Sequence, residues 1–108
     1  TKRNLNTTNC CINTTHYCIV RKDLPLGSLC AQLIHAADQT GMGHYAVALW
    51  AENEDHLQYL SDQLTSNQIP HQLIVEPDMD NQATAIGVFP IQDRKTIRPI
   101  VGKLKLIG

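Results

Sequence analysis

The sequence feature that most constrains the fold is the stretch 17–37, which predicts a strand, a tight connection and a helix. Residues 17–20 form a short apolar run with β-branched members, and residues 23–27 contain the Pro and Gly typical of a turn. Ser28 then stands where a helix N-cap is expected. A strand that leads directly into a helix is typical of a layered α/β domain.

The helix after Ser28 has an apolar and a polar side at helical spacing. The apolar set is Leu29, Cys30, Leu33, Ile34 and Ala37, and the polar set is Ser28, Gln32, His35 and Gln39. We expect the apolar set, Cys30 included, to face a sheet. The polar set then offers His35 to whatever approaches that side.

The next part of the chain predicts a second strand and a second helix. Residues 45–51 are almost uninterruptedly apolar, which is typical of a strand covered on both faces. Asn53 can cap a helix whose buried side is marked by Leu57, Leu60 and Leu64. Residues 67–70 end this helix.

The last third predicts two strands and a broken helix. Residues 72–75 and 84–89 are strand-like and are joined by an acidic turn, 76–82. Asp93 can cap a final helix that Pro99 kinks or divides into two short turns. The order β-α-β-α-β-β-α predicts a single-domain, three-layer α/β sandwich with a four-stranded mixed β-sheet flanked by helices.

Length and composition indicate one domain in 108 residues. Residues 1–15 are rich in Asn and Thr and predict a loosely ordered polar arm, with an extra edge strand at 10–12 as an alternative, and residues 16–108 form the folded domain. No apolar run is long enough for a membrane span and no signal peptide is visible, so we expect a cytoplasmic protein. The cysteines and histidines lack metal-ligand spacing, and no metal site is expected.

The charges are segregated along the chain although the net charge is only −1. All acidic residues lie between Asp23 and Asp93, and the basic residues lie outside that stretch. If the first strand and the C-terminal segment pack together, these basic residues form one edge suited to phosphates. The alternative is an ordinary dipolar surface.

Several short motifs, taken in order, resemble the archaeal and eukaryotic type of peptidyl-tRNA hydrolase, often called type 2. They are Arg-Lys-Asp-Leu at 21–24, Gly27, Ala-Gln at 31–32, His-Ala-Ala at 35–37 and Gly-Lys-Leu-Lys-Leu at 102–106. The resemblance runs from residue 17 to the C-terminus and is closest to the lysine-poor, diverged members of the superfamily. It implies hydrolysis of the ester between a peptide and tRNA without a metal or cofactor, with tRNA as partner, and often a homodimer.

The resemblance also implies a set of site residues. His35 takes the position of the family histidine and, since imidazoles titrate near neutrality, is the expected base for water. Thr84 takes the position of a family threonine, expected to orient water or the ester carbonyl. Asp78 is the nearest match to the family aspartate, shifted by one position, and Glu76 is the alternative.

Ser28 is the main departure, because the family usually has an active-site lysine there. The loss of such a contact costs about 10²-fold or more in rate. The expected tRNA-binding residues are Arg21, Lys22, Ser28, Gln32, Arg94, Lys95, Lys103 and Lys105. Two other functions stay open: a catalytically inactive RNA- or protein-binding module of this fold, and a small-ligand regulatory domain that dimerises through an exposed sheet edge.

Overall fold

The structure, a computed structural model, describes residues 14–41 and 45–107 and confirms the predicted three-layer α/β sandwich. The elements are β1 (Thr15–Arg21), α1 (Leu26–Thr40), β2 (Tyr45–Ala51), α2 (Glu54–Ser66), β3 (His71–Glu76), a 3-10 helix (Pro77–Met79), β4 (Gln82–Val88) and α3 (Arg98–Val101). The first strand includes Thr15, one residue before the expected start of the domain. Residues 1–13 of the predicted arm, with the alternative strand at 10–12, lie outside the described residues, whereas Thr14 is described and buried.

The sheet is mixed and has the order β2-β1-β4-β3. β1 and β2 are parallel, and β4 lies antiparallel between β1 and β3. β1, β2 and β3 therefore end at the same end of the sheet, where β4 begins. We call this the carboxyl end.

α2 and α3 cover one face of the sheet, the α2 face, as the leucine spacing predicts. Leu57, Leu60 and Leu64 are at most 2 % exposed and pack in the larger core cluster. The helix begins at the predicted cap, since the Asn53 side chain accepts a hydrogen bond from the His56 N–H. This half of the fold follows the apolar pattern directly.

α1 covers the opposite face, the α1 face, but with a different side from the predicted one. The helix begins at Leu26 after Pro25, two residues before Ser28. Its buried residues are Leu29, Gln32, Ala36 and Thr40, whereas Cys30 is exposed and Ile34 is 67 % exposed. The prediction that Cys30 faces the core was wrong.

The orientation of α1 follows from polar partners and from one close contact. The buried Thr40 hydroxyl donates to the Ala36 carbonyl and accepts from Nε2 of the buried His16, at 2.7 and 2.6 Å. A Cβ at Gly87 on β4 would overlap the Ala36 carbonyl and lie 2.7 Å from the Thr40 hydroxyl, so this glycine lets the helix approach the strand. α1 thus buries Thr40, whose hydroxyl is hydrogen-bonded, and leaves the apolar Ile34 exposed.

β2 has the predicted bounds but is not covered on both faces along its length. Tyr45 is 59 % exposed, whereas Leu49 and Ala51 are buried. The C-terminal segment pairs with its outer edge: the Trp50 N–H donates to the Lys105 carbonyl, and the Ile107 N–H donates to the Ala48 carbonyl. The edge at 48–50 is therefore occupied by the chain itself.

The final helix is a single short turn because Pro99 stands in its first turn, where a missing N–H costs little. A separate turn precedes it, in which the Arg98 N–H donates to the Arg94 carbonyl. Asp93 does not cap α3 as predicted; its carboxylate accepts from the Lys95 N–H, in the preceding turn. In the part of the chain that the structure describes, the helices are too short or too polar to cross a lipid bilayer.

Candidate active site

The predicted site residues converge at the carboxyl end of the sheet, on the α1 face. β3 ends there with Glu76, β4 begins there with Thr84 in its first half, and α1 starts nearby and carries Gln32 and His35 across the sheet. These residues belong to three separate elements, so their proximity is a product of the fold.

Thr84 is placed by a β-bulge in β4. Ile74 pairs with Ala85 and Val75 pairs with Ala83, so Thr84 is an extra residue with no partner across the ladder. The two flanking alanines accordingly pack on opposite faces, Ala83 in the α2-face cluster and Ala85 in the α1-face cluster. Thr84 is completely buried and its hydroxyl points to α1, where it meets Gln32.

Three side chains form a hydrogen-bonded chain that we call the Gln32 network: Thr84, Gln32 and Glu76. The Thr84 hydroxyl donates to Oε1 of Gln32 at 2.7 Å, with the Ile74 carbonyl as a longer second acceptor at 3.3 Å. Nε2 of Gln32 donates to Oε2 of Glu76 at 3.0 Å. Gln32 is only 4 % exposed, so it connects a buried hydroxyl to a carboxylate nearer the surface.

Glu76, rather than Asp78, contributes its carboxylate to this network. The other carboxylate oxygen, Oε1, accepts the Asp78 backbone N–H at 3.2 Å. The pKa of Glu76 lies below its usual value, first because of the Gln32 hydrogen bond, then because of the Asp78 N–H, with a smaller contribution from the charge of His35. The Asp78 side chain is exposed, and Asp78 takes part only through its backbone N–H, which donates to Glu76.

His35 lies at the solvent side of the network. It is exposed, and its charge contributes, after the two hydrogen bonds, to the lowered pKa of Glu76. Among the described residues, no hydrogen bond joins it to Thr84, Gln32 or Glu76. Ser28 lies one helical turn before Gln32 and is half-buried.

Arg21 and Glu54 hold the start of β4 from the α2 side. Arg21 donates to the Ala83 carbonyl at 3.1 Å, and the Ala83 N–H donates to the Glu54 carboxylate at 2.7 Å. These bonds secure both main-chain groups of the residue before Thr84. The role of Glu54 was not predicted, because it depends on a contact across 29 positions that no local pattern signals.

Arg21 is 8 % exposed and is engaged within the protein. It gives four of its five N–H groups to Asp23, Gln82 and Ala83. The pKa of Asp23 is lowered, mainly by the hydrogen bond from Arg21. The predicted surface role of Arg21 in tRNA binding therefore conflicts with its position.

The remaining basic residues do not form the single basic edge that was one of the two interpretations of the charge pattern. Lys22, Lys103 and Lys105 line a cavity where β1 and β2 end, whereas Arg94 lines another with Thr15 and Tyr45, where both strands begin. The six residue steps of β1 separate these ends by about 20 Å. The cause is that the C-terminal segment packs along β2 and not along β1. Lys95 is exposed.

The network positions the Glu76 carboxylate at the end of the sheet where α1 presents the exposed His35. An exposed imidazole can take a proton from water when a substrate is bound next to it. Within residues 14–41 and 45–107, no group of three His, Cys, Asp or Glu side chains is arranged to hold a metal ion.

The comparisons with known proteins agree with this architecture. A search of curated proteins found no match. Among solved structures, the chain is similar to a protein of unknown function from Agrobacterium tumefaciens, with a TM-score of 0.60 and 14% identity over 89% of this chain and 98% of that one, which supports the fold.

A family model described as peptidyl-tRNA hydrolase PTH2 matches residues 38–107, which is 70 of the 108 residues. The matched segment includes Glu76, Asp78 and Thr84, while Gln32 and His35 precede it. The match confirms the resemblance in the sequence and extends over most of the fold. The chain belongs to the peptidyl-tRNA hydrolase PTH2 family.

Proposed function

We propose that the protein hydrolyses the ester bond between a peptide and the terminal ribose of tRNA. The observation that supports this activity best is the Gln32 network, which links the buried Thr84 hydroxyl to the Glu76 carboxylate beside His35. Glu76 and Thr84 lie in the segment that the family model matches. On this proposal tRNA is the partner, the protein acts in translation in the cytoplasm, and it needs no metal or cofactor.

In the proposed mechanism His35 takes a proton from the water that attacks the ester carbonyl. The negative charge of Glu76 then stabilises the imidazolium, which gives its proton to the ribose oxygen as the ester C–O bond breaks. Gln32 orients Glu76, and Thr84 orients Gln32 through the hydrogen bond from its hydroxyl. Thr84 is completely buried, so it does not contact the substrate. Gln32 and Thr84 are thus positioning residues, and Asp78 fixes the second carboxylate oxygen through its N–H.

The amide of Gln32 offers one further group. It has two N–H donors, and only the one to Glu76 has a partner among the described residues. Gln32 is 4 % exposed, so this second N–H stays inside the protein and does not replace the lysine expected at position 28. We therefore expect slower turnover than in lysine-containing relatives.

The test is release of peptide from N-blocked aminoacyl-tRNA. We expect turnover by the wild type, a loss of about 10²-fold or more in His35→Ala, where the general base is removed, and a loss in Glu76→Gln. Gln58→Ala is the matched control, because Gln58 is exposed on α2 at the opposite face of the sheet. Absence of wild-type turnover would rule out the enzymatic function.

A second function, an RNA-binding module without catalysis, is favoured by one observation: Ser28 replaces the cation expected in the active site. This module binds tRNA in a salt-dependent way and releases no product. The regulatory alternative needs a free sheet edge; the C-terminal segment occupies the β2 edge at 48–50, so dimerisation would use β3, the other edge strand. A homodimer through another surface stays part of the proposal and is tested by sedimentation.

A further inference from the structure

Two main-chain groups next to Thr84 have side chains as partners where a neighbouring strand is missing. The ladder between β1 and β4 ends at Ala85, so Ala83 is not paired with β1. The Ala83 N–H donates to Oε2 of Glu54 at 2.7 Å, and its carbonyl accepts from the Arg21 guanidinium at 3.1 Å. Both partners are charged, and hydrogen bonds to charged groups are the stronger ones. We call Glu54 and Arg21 the Ala83 clamp.

Both residues of the clamp are themselves held in place. Arg21 donates to both carboxylate oxygens of Asp23, at 2.9 and 3.0 Å, and to Oε1 of Gln82 at 2.8 Å. Glu54 is half-buried in the first turn of α2, directly after the Asn53 cap. The pKa of Arg21 is raised, first by the Asp23 hydrogen bond, against the effect of burial, and further by the charges of Asp23 and Glu54. Opposite charges therefore meet at one peptide segment.

The bulge makes this segment dependent on the clamp. Thr84 is the extra residue and has no partner on β3, so only the pair of Ala83 with Val75 connects this point to a neighbouring strand. Ala83 packs in the α2-face core, whereas the Thr84 hydroxyl donates to Gln32 on the other face. The Ala83 carbonyl belongs to the planar peptide group that joins Ala83 to Thr84. A bond that fixes this carbonyl therefore fixes the orientation of Thr84.

We propose that Glu54 is a positioning residue for the Gln32 network and acts through the main chain of the bulge. Glu54 fixes the peptide plane before Ala83, and Arg21 fixes the plane after it. Together they determine where the Thr84 hydroxyl meets Gln32, although Glu54 lies on the opposite face of the sheet. The inference rests on the proposed function for the reaction that is affected. The dependence of the bulge on Glu54 can be measured without any turnover.

The structural test is NMR of the isotopically labelled full chain. In Glu54→Ala we expect faster hydrogen exchange of the Ala83 amide and weaker NOEs between the Thr84 and Gln32 side chains. Glu54→Asp keeps the charge at the start of α2 but is shorter by one methylene, so it gives the same changes. Glu54→Gln keeps an acceptor of the same reach and is expected to recover most of the wild-type protection and NOEs.

The kinetic test is release of peptide from N-blocked aminoacyl-tRNA. In Glu54→Ala and Glu54→Asp we expect kcat to fall by about 10-fold or more with KM unchanged, because a misplaced network affects only the chemical step. Glu54→Gln recovers most of kcat. In a Thr84→Val background, which has no hydroxyl to place, Glu54→Ala causes no further loss of kcat. A merely structural role would lower stability and leave the kcat of the folded protein unchanged.

Asp55→Ala is the matched control, since Asp55 is the other acidic residue in the first turn of α2 and is exposed. It is expected to keep the wild-type NOEs and kcat. Wild-type exchange and NOEs in both Glu54→Ala and Glu54→Asp would overturn the inference, as would an equal effect of Asp55→Ala. Absence of wild-type turnover defeats the enzymatic proposal, and the NMR comparison still decides whether Glu54 holds the bulge. Wild-type turnover with an unchanged kcat in Glu54→Ala defeats the positioning role alone.

Discussion

Replacing Thr84 by valine tests the Gln32 network directly. Valine has nearly the same shape as threonine but lacks the hydroxyl, so Oε1 of Gln32 loses its donor at a position that is 4 % exposed. A buried acceptor without a partner costs about 1–3 kcal/mol. For a domain of this size, a loss of about 2 kcal/mol lowers the Tm by roughly 8 °C.

A double-mutant cycle separates this bond from other effects of the substitution. Gln32→Met removes the amide while keeping an unbranched side chain, and the Thr84 hydroxyl then retains the Ile74 carbonyl as acceptor. In Thr84→Val/Gln32→Met no buried amide oxygen is left unpaired. We therefore expect the double variant to lose at least about 1 kcal/mol less than the sum of the single variants.

The free energies of unfolding are measured by urea denaturation of all four proteins, with equal m-values as the check on two-state behaviour. Thr65→Val, on the exposed side of α2, is the control and is expected to change stability by no more than about 0.5 kcal/mol. Additivity of the two single variants within about 0.3–0.5 kcal/mol would refute the coupling between the hydroxyl and the amide.

Two further predictions concern stability. The folded-state pKa of Glu76 is lowered, so its stabilising contribution is present above the unfolded-state pKa of about 4.3 and is lost as pH falls through the folded value. Glu76→Gln should thus be less stable than the wild type at pH 7 and match it in strong acid; a difference in urea midpoint independent of pH contradicts this. Gly87→Ala should destabilise by about 1–3 kcal/mol through overlap with the Ala36 carbonyl, whereas Gly27→Ala, with open space around it in α1, should stabilise by about 0.5 kcal/mol in thermal melts. Equal melting temperatures for the two glycine variants would show that α1 does not depend on the close approach at Gly87.

The order of the elements and the whole of α2 were predictable because local signals agreed with the tertiary structure. Asn53 caps the helix, and Leu57, Leu60 and Leu64 mark its buried side, so neither inference needed a distant partner. The family could also be recognised from the sequence, because its short motifs are read along the chain and do not depend on contacts between distant residues.

The side of α1 that faces the sheet was not predictable from apolar spacing. Gln32 and Thr40 are buried there because Thr84, Glu76 and His16 supply partners from other elements. A pattern of single residues contains no information on such pairs. The same reason explains why Gln32 was expected to contact tRNA, although its described partners are inside the protein.

The division of the basic residues between two ends of the sheet was likewise not predictable from the local sequence. The charge pattern gives the positions of lysines and arginines along the chain, whereas the path of the C-terminal segment along β2 decides which of them meet. Arg94 and Lys105, only eleven positions apart, therefore line cavities at opposite ends of the strands.

The bulge in β4 means that the core does not require the residue that carries the hydroxyl. With Thr84 left out, Ala83, Ala85 and Ile86 would alternate between the two faces without interruption, each already on its proper side. A shortened chain lacking that residue therefore keeps the apolar alternation of β4, although the buried Gln32 oxygen loses its donor. Deletion of one residue would therefore remove the hydroxyl of the proposed site while the apolar residues of β4 kept their faces.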